Sequence, residues 1–261
     1  MPRVVEEPPP SRPAYFWWLL ANVVAACFAV VSWVVCLHIF QHPESPRNYE
    51  ILRKLKRLPE LKQYKDLDAP TANSYTPKDL YKKFNGFDDT LLARLNPALL
   101  RNYLTNFQKP LLLSYVEGSY RVETVRPLKE NDFFSPGFVV RGRAMVKPDE
   151  FTPTAPYPVI IEYLFPTADR AAFSWFKPDD MLTVTKAQNC AVVLHVSKVD
   201  AQDEQGKMEK ILCVTVVPIV YGNYQVGEGR SFSLDAPGYF KPGATFPLFK
   251  ATAADAPVKK P

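Results

Sequence analysis

Histidine and cysteine are scarce in this 261-residue chain, which has three of the first and four of the second. Cys27 and Cys36 lie in one long apolar segment, Cys190 and Cys213 lie in two later apolar runs, and no two cysteines have C-x-x-C spacing. Zinc sites and thioredoxin-like redox sites need such residues clustered at short spacing. The sequence therefore predicts neither a metal site nor a cofactor.

Catalytic motifs are missing as well. The chain contains no G-x-S-x-G, H-E-x-x-H or P-loop pattern. A nucleophilic serine or cysteine needs a base that takes its proton, and two of the histidines, His38 and His42, stand at the end of the apolar segment. Only His195 remains, inside a strand-like run where a structural histidine is expected. We therefore predict that the protein is not an enzyme.

Charge is absent from one long stretch. Residues 13–43 include no Asp, Glu, Lys or Arg. Residues 14–40 would form a helix about 40 Å long at about 1.5 Å per residue, which is enough to cross a hydrocarbon core of about 30 Å. The aromatic cluster at residues 15–18 suits a membrane interface. We predict a short N-terminal tail, residues 1–13, followed by a single transmembrane helix.

A signal peptide and a lipoprotein signal are the alternatives to an anchor for this segment. A cleavable signal peptide has an apolar core of only about 7–15 residues. The run Val24-Ala25-Ala26-Cys27 resembles a bacterial lipobox, but the residues after Cys27 stay apolar. An uncleaved anchor is therefore preferred. Lys56 and Arg57 favour a cytoplasmic C-terminal domain, whereas single-span proteins with short N-terminal tails usually export the large domain, and an extracytoplasmic domain is expected.

The positive charge is concentrated next to this segment. Residues 41–110 hold 13 Lys and Arg against 8 Asp and Glu, a net +5, whereas residues 111–240 hold 13 against 16, a net −3. A basic juxtamembrane neck, residues 45–110, is therefore expected to face the lipid bilayer. Nucleic acid is not an expected partner, because the region beyond the neck is slightly acidic.

The neck begins with a predicted amphipathic helix. Ser45-Pro46 is typical of a helix start, and the following residues place Ile51, Leu55 and Leu58 on one face. Such a helix either lies along lipid headgroups or packs its apolar face on the adjoining domain, and both alternatives stay open. In the first case four cations contact headgroups: Arg53, Lys54, Lys56 and Arg57.

Two further helix starts follow, at Thr76-Pro77 and at Asn96-Pro97, with residues 88–95 helical between them. The periodicity then becomes that of strands. Strands are predicted at residues 111–127, with a bend at Gly118, and at 137–146, 157–165, 181–185, 189–199 and 208–221, with a helix-compatible piece at 168–176.

The polar run 200–206 predicts an antiparallel hairpin between the last two strands. With the turn near Asp203, Cys190 would face residues 215–217 rather than Cys213. A disulfide requires Cα atoms about 4.4–6.8 Å apart. Two free thiols are therefore expected.

Three strands, a helical piece and two or three strands are the element order of an OB-fold. Residues 176–184 resemble the corner before the fourth strand of OB domains, with Asp179 where glycine is common. The chain thus resembles membrane-anchored bacterial proteins that carry an OB-like, anticodon-binding-like domain. The resemblance implies an anchor plus an α+β soluble part with a small antiparallel β-barrel at residues 111–221 and an extended tail, 222–261. A β-sandwich or half-barrel is the alternative.

Candidate binding residues lie in the predicted strands. Arg141 and Arg143 alternate on one strand and Glu162 lies on the next, so that a cross-strand ion pair is expected. The functional alternative is an anionic-ligand site formed by these three residues. We therefore carry two hypotheses: a non-enzymatic, membrane-tethered interaction or scaffold module of a bacterial envelope, which meets another membrane or envelope protein or itself, and a membrane-anchored domain that binds an anionic small molecule or oligonucleotide.

Overall fold

The computed structural model describes residues 14–55, 57, 74–106, 113–129, 132, 136–149, 151–167, 170–185, 189–202, 208–218, 223–225 and 231–233. The chain divides into two compact units, Met1–His42 and Pro43–Pro261. The predicted N-terminal tail and most of the predicted C-terminal tail lie outside the described residues.

The first unit contains helix α1, Ala14–Gln41. Within it, Tyr15–Gln41 is long and apolar enough to cross a membrane, and none of its most apolar window is buried inside the protein. A stable helix that is apolar on all sides needs an apolar environment around it. The predicted span is confirmed as an apolar helix with the length and composition of a membrane anchor or of an N-terminal signal sequence.

The second unit opens with helix α2, Pro46–Lys54, which begins after Ser45 as predicted. Its buried face carries Tyr49 and Leu52, whereas Leu55, just past the helix end, is 60% exposed. The predicted apolar face through Leu55 is therefore wrong. The helix packs on the domain through the neighbouring face that carries Tyr49 and Leu52. Leu58 lies outside the described residues.

Helix α3, Pro77–Phe84, has the predicted start at Thr76, and a capping box stabilises this N-terminus. The Asp79 amide donates to Thr76 Oγ1 at 3.3 Å, and the Thr76 amide donates to Asp79 Oδ2 at 3.1 Å. Two donors that a helix start leaves without partners are thereby satisfied.

Helix α4, Asp89–Asn106, continues without a break past Pro97. The predicted helix start at Asn96-Pro97 is therefore wrong. A proline in a helix interior costs about 3 kcal/mol or more, and burial of leucines on both sides of it, at Leu92 and Leu100, offsets that cost.

The strands form one curled eight-stranded sheet in the order β1-β2-β7-β8-β5-β4-β3-β6, and a separate pair, β9 and β10. Their bounds are β1 Ser74–Tyr75, β2 Tyr115–Val116, β3 Gly118–Pro127, β4 Gly137–Val146, β5 Ala155–Pro166, β6 Met181–Val184, β7 Ala191–Gln202, β8 Met208–Pro218, β9 Asn223–Gln225 and β10 Ser231–Ser233. A 3-10 helix, Arg170–Trp175, separates β5 from β6.

The curl arises where the chain leaves β2 and enters β3. Only Glu117 separates these strands, yet β2 pairs with β7 whereas β3 pairs with β4 and β6. Gly118 has φ +141°, a conformation that glycine adopts readily. The predicted bend is confirmed, and the sheet wraps into a half-barrel.

The sheet is mixed rather than purely antiparallel. Strands β5 and β8 pair in parallel, with Val159 opposite Leu212 and Tyr163 opposite Val216. The core inside the curl includes an aromatic group in which the rings of Tyr163 and Phe165 stack at 4.1 Å. The predicted α+β soluble part is confirmed, whereas the predicted antiparallel pairing throughout the barrel is wrong, because the sheet is a half-barrel of mixed pairing.

The predicted antiparallel hairpin is confirmed as β7 and β8, but its turn is centred about two residues later than expected. Ala191 pairs with Pro218 and Gln202 with Met208. Ser197, not Cys190, lies opposite Cys213. An irregularity after Val193 shifts the register by one residue, as β-bulges do. Cys190 and Cys213 are both free thiols, as predicted.

Candidate functional site: a buried polar row and an exposed aromatic surface

Arg141 and Glu162 pair directly across β4 and β5. The guanidinium donates to Glu162 Oε1 from Nη2 at 2.6 Å and from Nε at 3.1 Å. The side chains are 17% and 1% exposed. The predicted cross-strand ion pair is therefore confirmed, and the two groups neutralise each other inside the protein.

The sheet register extends this pair into a polar row. Glu162 lies opposite Thr215 on β8, and Thr215 lies opposite His195 on β7. Directly opposed residues share a face of the sheet, so that Arg141, Glu162, Thr215 and His195 form one row across four strands. We call this set the polar row.

Arg143 belongs to a second ion pair beside that row. Its Nε donates to Glu123 Oε1 on β3 at 2.7 Å, and its side chain is 9% exposed. The strand alternation leaves either Arg141 or Arg143 as the partner of Glu162, and Arg143 lies opposite Ile160 on β5. The sequence could not locate Glu123 as its partner, because β3 has an irregular register between Val122 and Thr124.

His195 is held by α4. The Asn96 side chain donates from Nδ2 to His195 Nε2 and to the Val196 carbonyl, each at 2.9 Å, and its Oδ1 accepts from the Val196 amide at 2.8 Å. Burial lowers the pKa of His195 from 6.5 to about 4. The ring is therefore neutral at pH 7. Its Nε2 accepts a hydrogen bond from Asn96 and so carries no hydrogen.

The cysteine near the row is also unreactive. Cys213 is completely buried. Burial in apolar surroundings, with the Glu162 charge second, raises the pKa of its thiol well above the usual range. The thiolate is the reactive form of cysteine, so this residue acts as a small hydrophobe.

Of the four predicted headgroup-contact residues, Arg53 and Lys54 are the last two residues of α2, and Lys56 and Arg57 come next in the sequence. Lys54 ends the helix and pairs with Glu50 at 3.0 Å, with its side chain 70% exposed. Arg57 is exposed, Arg53 is half-buried and Lys56 lies outside the described residues. Contact with lipid headgroups stays a prediction for all four.

An open cavity lies along α3 and sequence reasoning did not find it. It measures about 570 Å³ and is lined by Lys78, Asp79, Tyr81, Lys82, Asn85, Gly86 and Tyr157. The rings of Tyr81 and Tyr157 meet edge to face, with centroids 5.5 Å apart. Lys78 and Lys82 lie one helical turn apart and both are exposed. We call this cavity the α3 groove.

A fixed loop stands next to the α3 groove, between β4 and β5. Asp149 Oδ1 accepts from the Phe151 amide at 2.9 Å, from the Thr152 amide at 2.8 Å and from Thr152 Oγ1 at 2.9 Å. The Asp149 amide in turn donates to Thr152 Oγ1 at 3.0 Å. These bonds hold the loop while leaving the Phe151 side chain 96% exposed. We call residues 147–149 together with Phe151 and Thr152 the Phe151 loop.

The groove and the loop are neighbours. Lys78 Nζ donates to the Lys147 carbonyl at 3.3 Å, and the charge of Lys78 is among the influences on Asp149. Together the α3 groove and the Phe151 loop form one surface, called the α3 surface below. In the sequence, this surface is marked only by Phe151 among charged residues and prolines, and by two lysines four residues apart, Lys78 and Lys82. Neither pattern indicates where these residues lie in the fold.

Among the described residues, no three His, Cys, Asp or Glu side chains converge to hold a metal ion. Comparison with known protein families, with characterised proteins and with solved structures finds no match to this chain.

Proposed function

We propose that the protein is a non-enzymatic, membrane-tethered interaction module of a bacterial envelope, which associates with another membrane or envelope protein or with itself. The observation that carries this proposal is Phe151, an aromatic side chain that is 96% exposed on a loop held by its own hydrogen bonds. Interfaces take much of their binding energy from a few such side chains, aromatic residues prominent among them.

The fixed loop strengthens the argument. A segment that must become ordered on binding loses conformational entropy, and that loss weakens the complex. The bonds between Asp149 and Thr152 keep the Phe151 backbone in one conformation beforehand. Proline residues at 148 and 153 restrict the backbone at the two ends of the loop. Phe151 is thus preorganised for contact with a partner.

The buried polar groups support a structural rather than a catalytic role for the interior. His195 is neutral and bonded to Asn96, and the thiol of Cys213 is protonated and buried. Arg141 and Arg143 each donate to a carboxylate of the same sheet. These side chains hold strands and helix together.

The β domain is proposed to be OB-like. If β2 and β3 count as one long first strand, the pairings β3–β4, β4–β5, β5–β8, β8–β7 and β7–β2 form a closed path of five strands, with the 3-10 helix before its fourth strand. Asp179, at the position where glycine is common in OB domains, has φ 73° and precedes β6, the edge strand next to β3, which lies outside this closed path. The backbone there has the left-handed conformation that glycine favours.

The tether is proposed to be α1 itself, uncleaved, with the second unit outside the cytoplasm. Its 28 residues exceed the apolar core of about 7–15 residues that a signal peptide needs. Trp17 and Trp18 near its start are exposed and suit the headgroup level.

A second candidate function is binding of an anionic small molecule or oligonucleotide. The lysines of the α3 groove favour it, because Lys78 and Lys82 stand beside the aromatic pair Tyr81 and Tyr157. A groove that combines cations with aromatic rings can hold a phosphate and stack a base.

The first function is tested by the size of the assembly that full-length protein forms when extracted from its own membranes with mild detergent. Phe151→Ala is expected to reduce the share of protein in the larger assembly at least several-fold, because the aromatic anchor is lost. The control is Phe173→Ala, since Phe173 is a second exposed phenylalanine, 37% accessible, which packs against Phe138 at the far end of β4.

Equal assembly of wild type, Phe151→Ala and Phe173→Ala would contradict the proposed function. Loss of assembly in both variants would point to damage of the fold rather than of the α3 surface. If phosphate or a short oligonucleotide dissolves the assembly, and Lys78→Ala with Lys82→Ala removes that sensitivity, the second candidate function is supported instead.

A further inference from the structure

We propose that two copies of this chain pair in the membrane through one face of α1, with their Asn22 side chains hydrogen-bonded to each other. The inference rests on the proposed function, in which α1 is an uncleaved tether and the chain associates with itself, and it names the residues of that contact. Two features of α1 carry it: an amide inside an apolar helix, and the short side chains that share its face.

Asn22 is a polar amide in the apolar part of α1. It follows Trp18 by four residues, which places it about 6 Å further into the span at about 1.5 Å per residue. Its Nδ2 donates to the Trp18 carbonyl at 2.7 Å. That bond uses one of the two N–H groups, and Oδ1 accepts no bond from the part of the chain that the structure describes. Lipid tails offer no donor, so the amide gains hydrogen bonds by meeting a polar side chain of another helix.

The residues that share the face of Asn22 are short. A helix turns by about 100° per residue, so that Asn22 and four later residues fall within a sector of about 80°. Between residues 19 and 37 the sector holds five residues, called the Asn22 face below: Asn22, Ala25, Ala29, Ser32 and Cys36. Their spacing alternates between three and four residues, which is the repeat along which two helices pack. Short side chains let two helix backbones approach closely in a membrane.

The opposite face of α1 differs in composition. Cys27 precedes Cys36 by nine residues, and at about 100° per residue the two thiols lie about 180° apart around the helix. The side chains around Cys27 are exposed, branched and apolar, as suits contact with lipid tails: Val23, Val24, Val31, Val34 and Val35. The amide and the short side chains are therefore gathered on one side of α1, which a helix that only anchors does not require.

The chemistry of the Asn22 face selects a second copy as the partner. Copies of one chain enter the membrane in the same orientation, because the residues that flank the span set it. Two parallel copies therefore bring Asn22 to the same depth. An amide is both donor and acceptor, so that each Asn22 gives its second N–H to Oδ1 of the other. A single asparagine in such a seam also fixes the register of two paired helices.

The two cysteines of α1 report which face is in contact. Full-length protein in membranes of the source cell is treated with copper phenanthroline, an oxidant that joins two neighbouring thiols as a disulfide. Cys27→Ala leaves Cys36 on the Asn22 face, and Cys36→Ala leaves Cys27 on the opposite face, while Cys190 and Cys213 are buried. A disulfide requires Cβ atoms about 3.5–4.5 Å apart. Cys27→Ala is therefore expected to give several-fold more covalent dimer than Cys36→Ala on a non-reducing gel.

A second substitution tests the amide. Asn22→Leu, added to Cys27→Ala, removes the hydrogen bond between the copies and keeps the helix apolar. It is expected to lower the yield of the Cys36 cross-link several-fold. Asn22→Gln is the matched control, because glutamine keeps an amide that donates and accepts, and it is expected to retain most of the cross-link.

Equal cross-linking through Cys27 and Cys36, or none through either, would overturn the inference. So would an undiminished Cys36 cross-link in Asn22→Leu, because the copies would then meet without the amide. The proposed function is decided separately. If α1 does not pair while the extracted assembly still depends on Phe151, the interaction function stands and its contact is made by the second unit. Release of the full-length chain from the membrane by an alkaline wash would instead contradict the tether itself.

Discussion

Replacing Arg141 with methionine is expected to lower the free energy of unfolding of the full chain in detergent micelles by about 3–5 kcal/mol at pH 7. Methionine keeps much of the side-chain length but not the charge. Glu162, which is 1% exposed, would then be a buried carboxylate that has lost the guanidinium now 2.6 Å away. Urea unfolding followed by circular dichroism of the β-sheet measures the change.

A second substitution tests whether the unpaired charge of Glu162 causes this loss of stability. Adding Glu162→Gln to Arg141→Met removes the stranded charge, so that the double variant is expected to be more stable than Arg141→Met alone. Lys54→Met is the control, because Lys54 and Glu50 form an exposed pair, 70% and 39% accessible, worth only about 0.3–0.5 kcal/mol. A loss below 1 kcal/mol for Arg141→Met would contradict the account of the polar row.

Acid is expected to destabilise the domain through His195. The pKa of His195 is about 4 in the folded chain and 6.5 when exposed, so that between these values the unfolded chain binds more protons. Stability therefore rises with pH across this window and is lost as pH falls from 6.5 to 4, by about 3 kcal/mol. The measurement is urea unfolding at pH 7, 5.5 and 4.

His195→Gln isolates that contribution. Glutamine stays neutral and its side-chain oxygen can accept the bond that Asn96 Nδ2 gives to the ring. The variant is expected to lose about 3 kcal/mol less than wild type between pH 7 and pH 4. Identical acid sensitivity of the two proteins would show that His195 is not buried as a neutral ring.

Local patterns predicted the elements whose cause is local. The uncharged run gave α1, and Thr76-Pro77 gave the start of α3 because the capping box is made within four residues. Gly118 gave the bend between β2 and β3, since its φ of +141° is a property of one residue. Alternation on two neighbouring strands predicted an ion pair of Glu162 with Arg141 or Arg143, and the register of the sheet selects Arg141.

Elements that depend on contacts between residues far apart in the sequence could not be predicted from local patterns. Asn96 looked like a helix cap, but its side chain reaches β7 at Val196, one hundred residues on. Tertiary packing therefore carries the helix past Pro97. Similarly, the parallel pairing of β5 with β8 and the arrival of Thr215 beside Glu162 depend on the path of the whole sheet. The hairpin turn is centred about two residues later than predicted because Gln202 pairs with Met208, a register that the polar run 200–206 alone does not specify.

The α3 surface shows the same limit at the candidate site. Lys78 and Lys82 on a helix, Tyr157 at the start of a strand and Phe151 in a turn are unremarkable separately, and many such residues lie on solvated surfaces. Only the fold brings Tyr157 against Tyr81 and sets the loop beside Lys78. The sequence instead predicted a candidate binding site at Arg141 and Arg143. The charged groups of these residues form ion pairs with the carboxylates of Glu162 and Glu123.

The central claim is that a membrane-held chain meets its partner through Phe151. It is tested most directly by placing a photoreactive phenylalanine analogue at position 151 of the full-length protein, in membranes of the source cell washed at alkaline pH to remove proteins that do not span the bilayer. Position 173 is the control, because it packs on Phe138, eight residues or roughly 26 Å along β4 from the loop. The account predicts that the chain stays in the washed membrane and that irradiation yields one discrete protein adduct from position 151 and none from position 173. Release of the chain by the wash, or equal adducts from both positions, would contradict it.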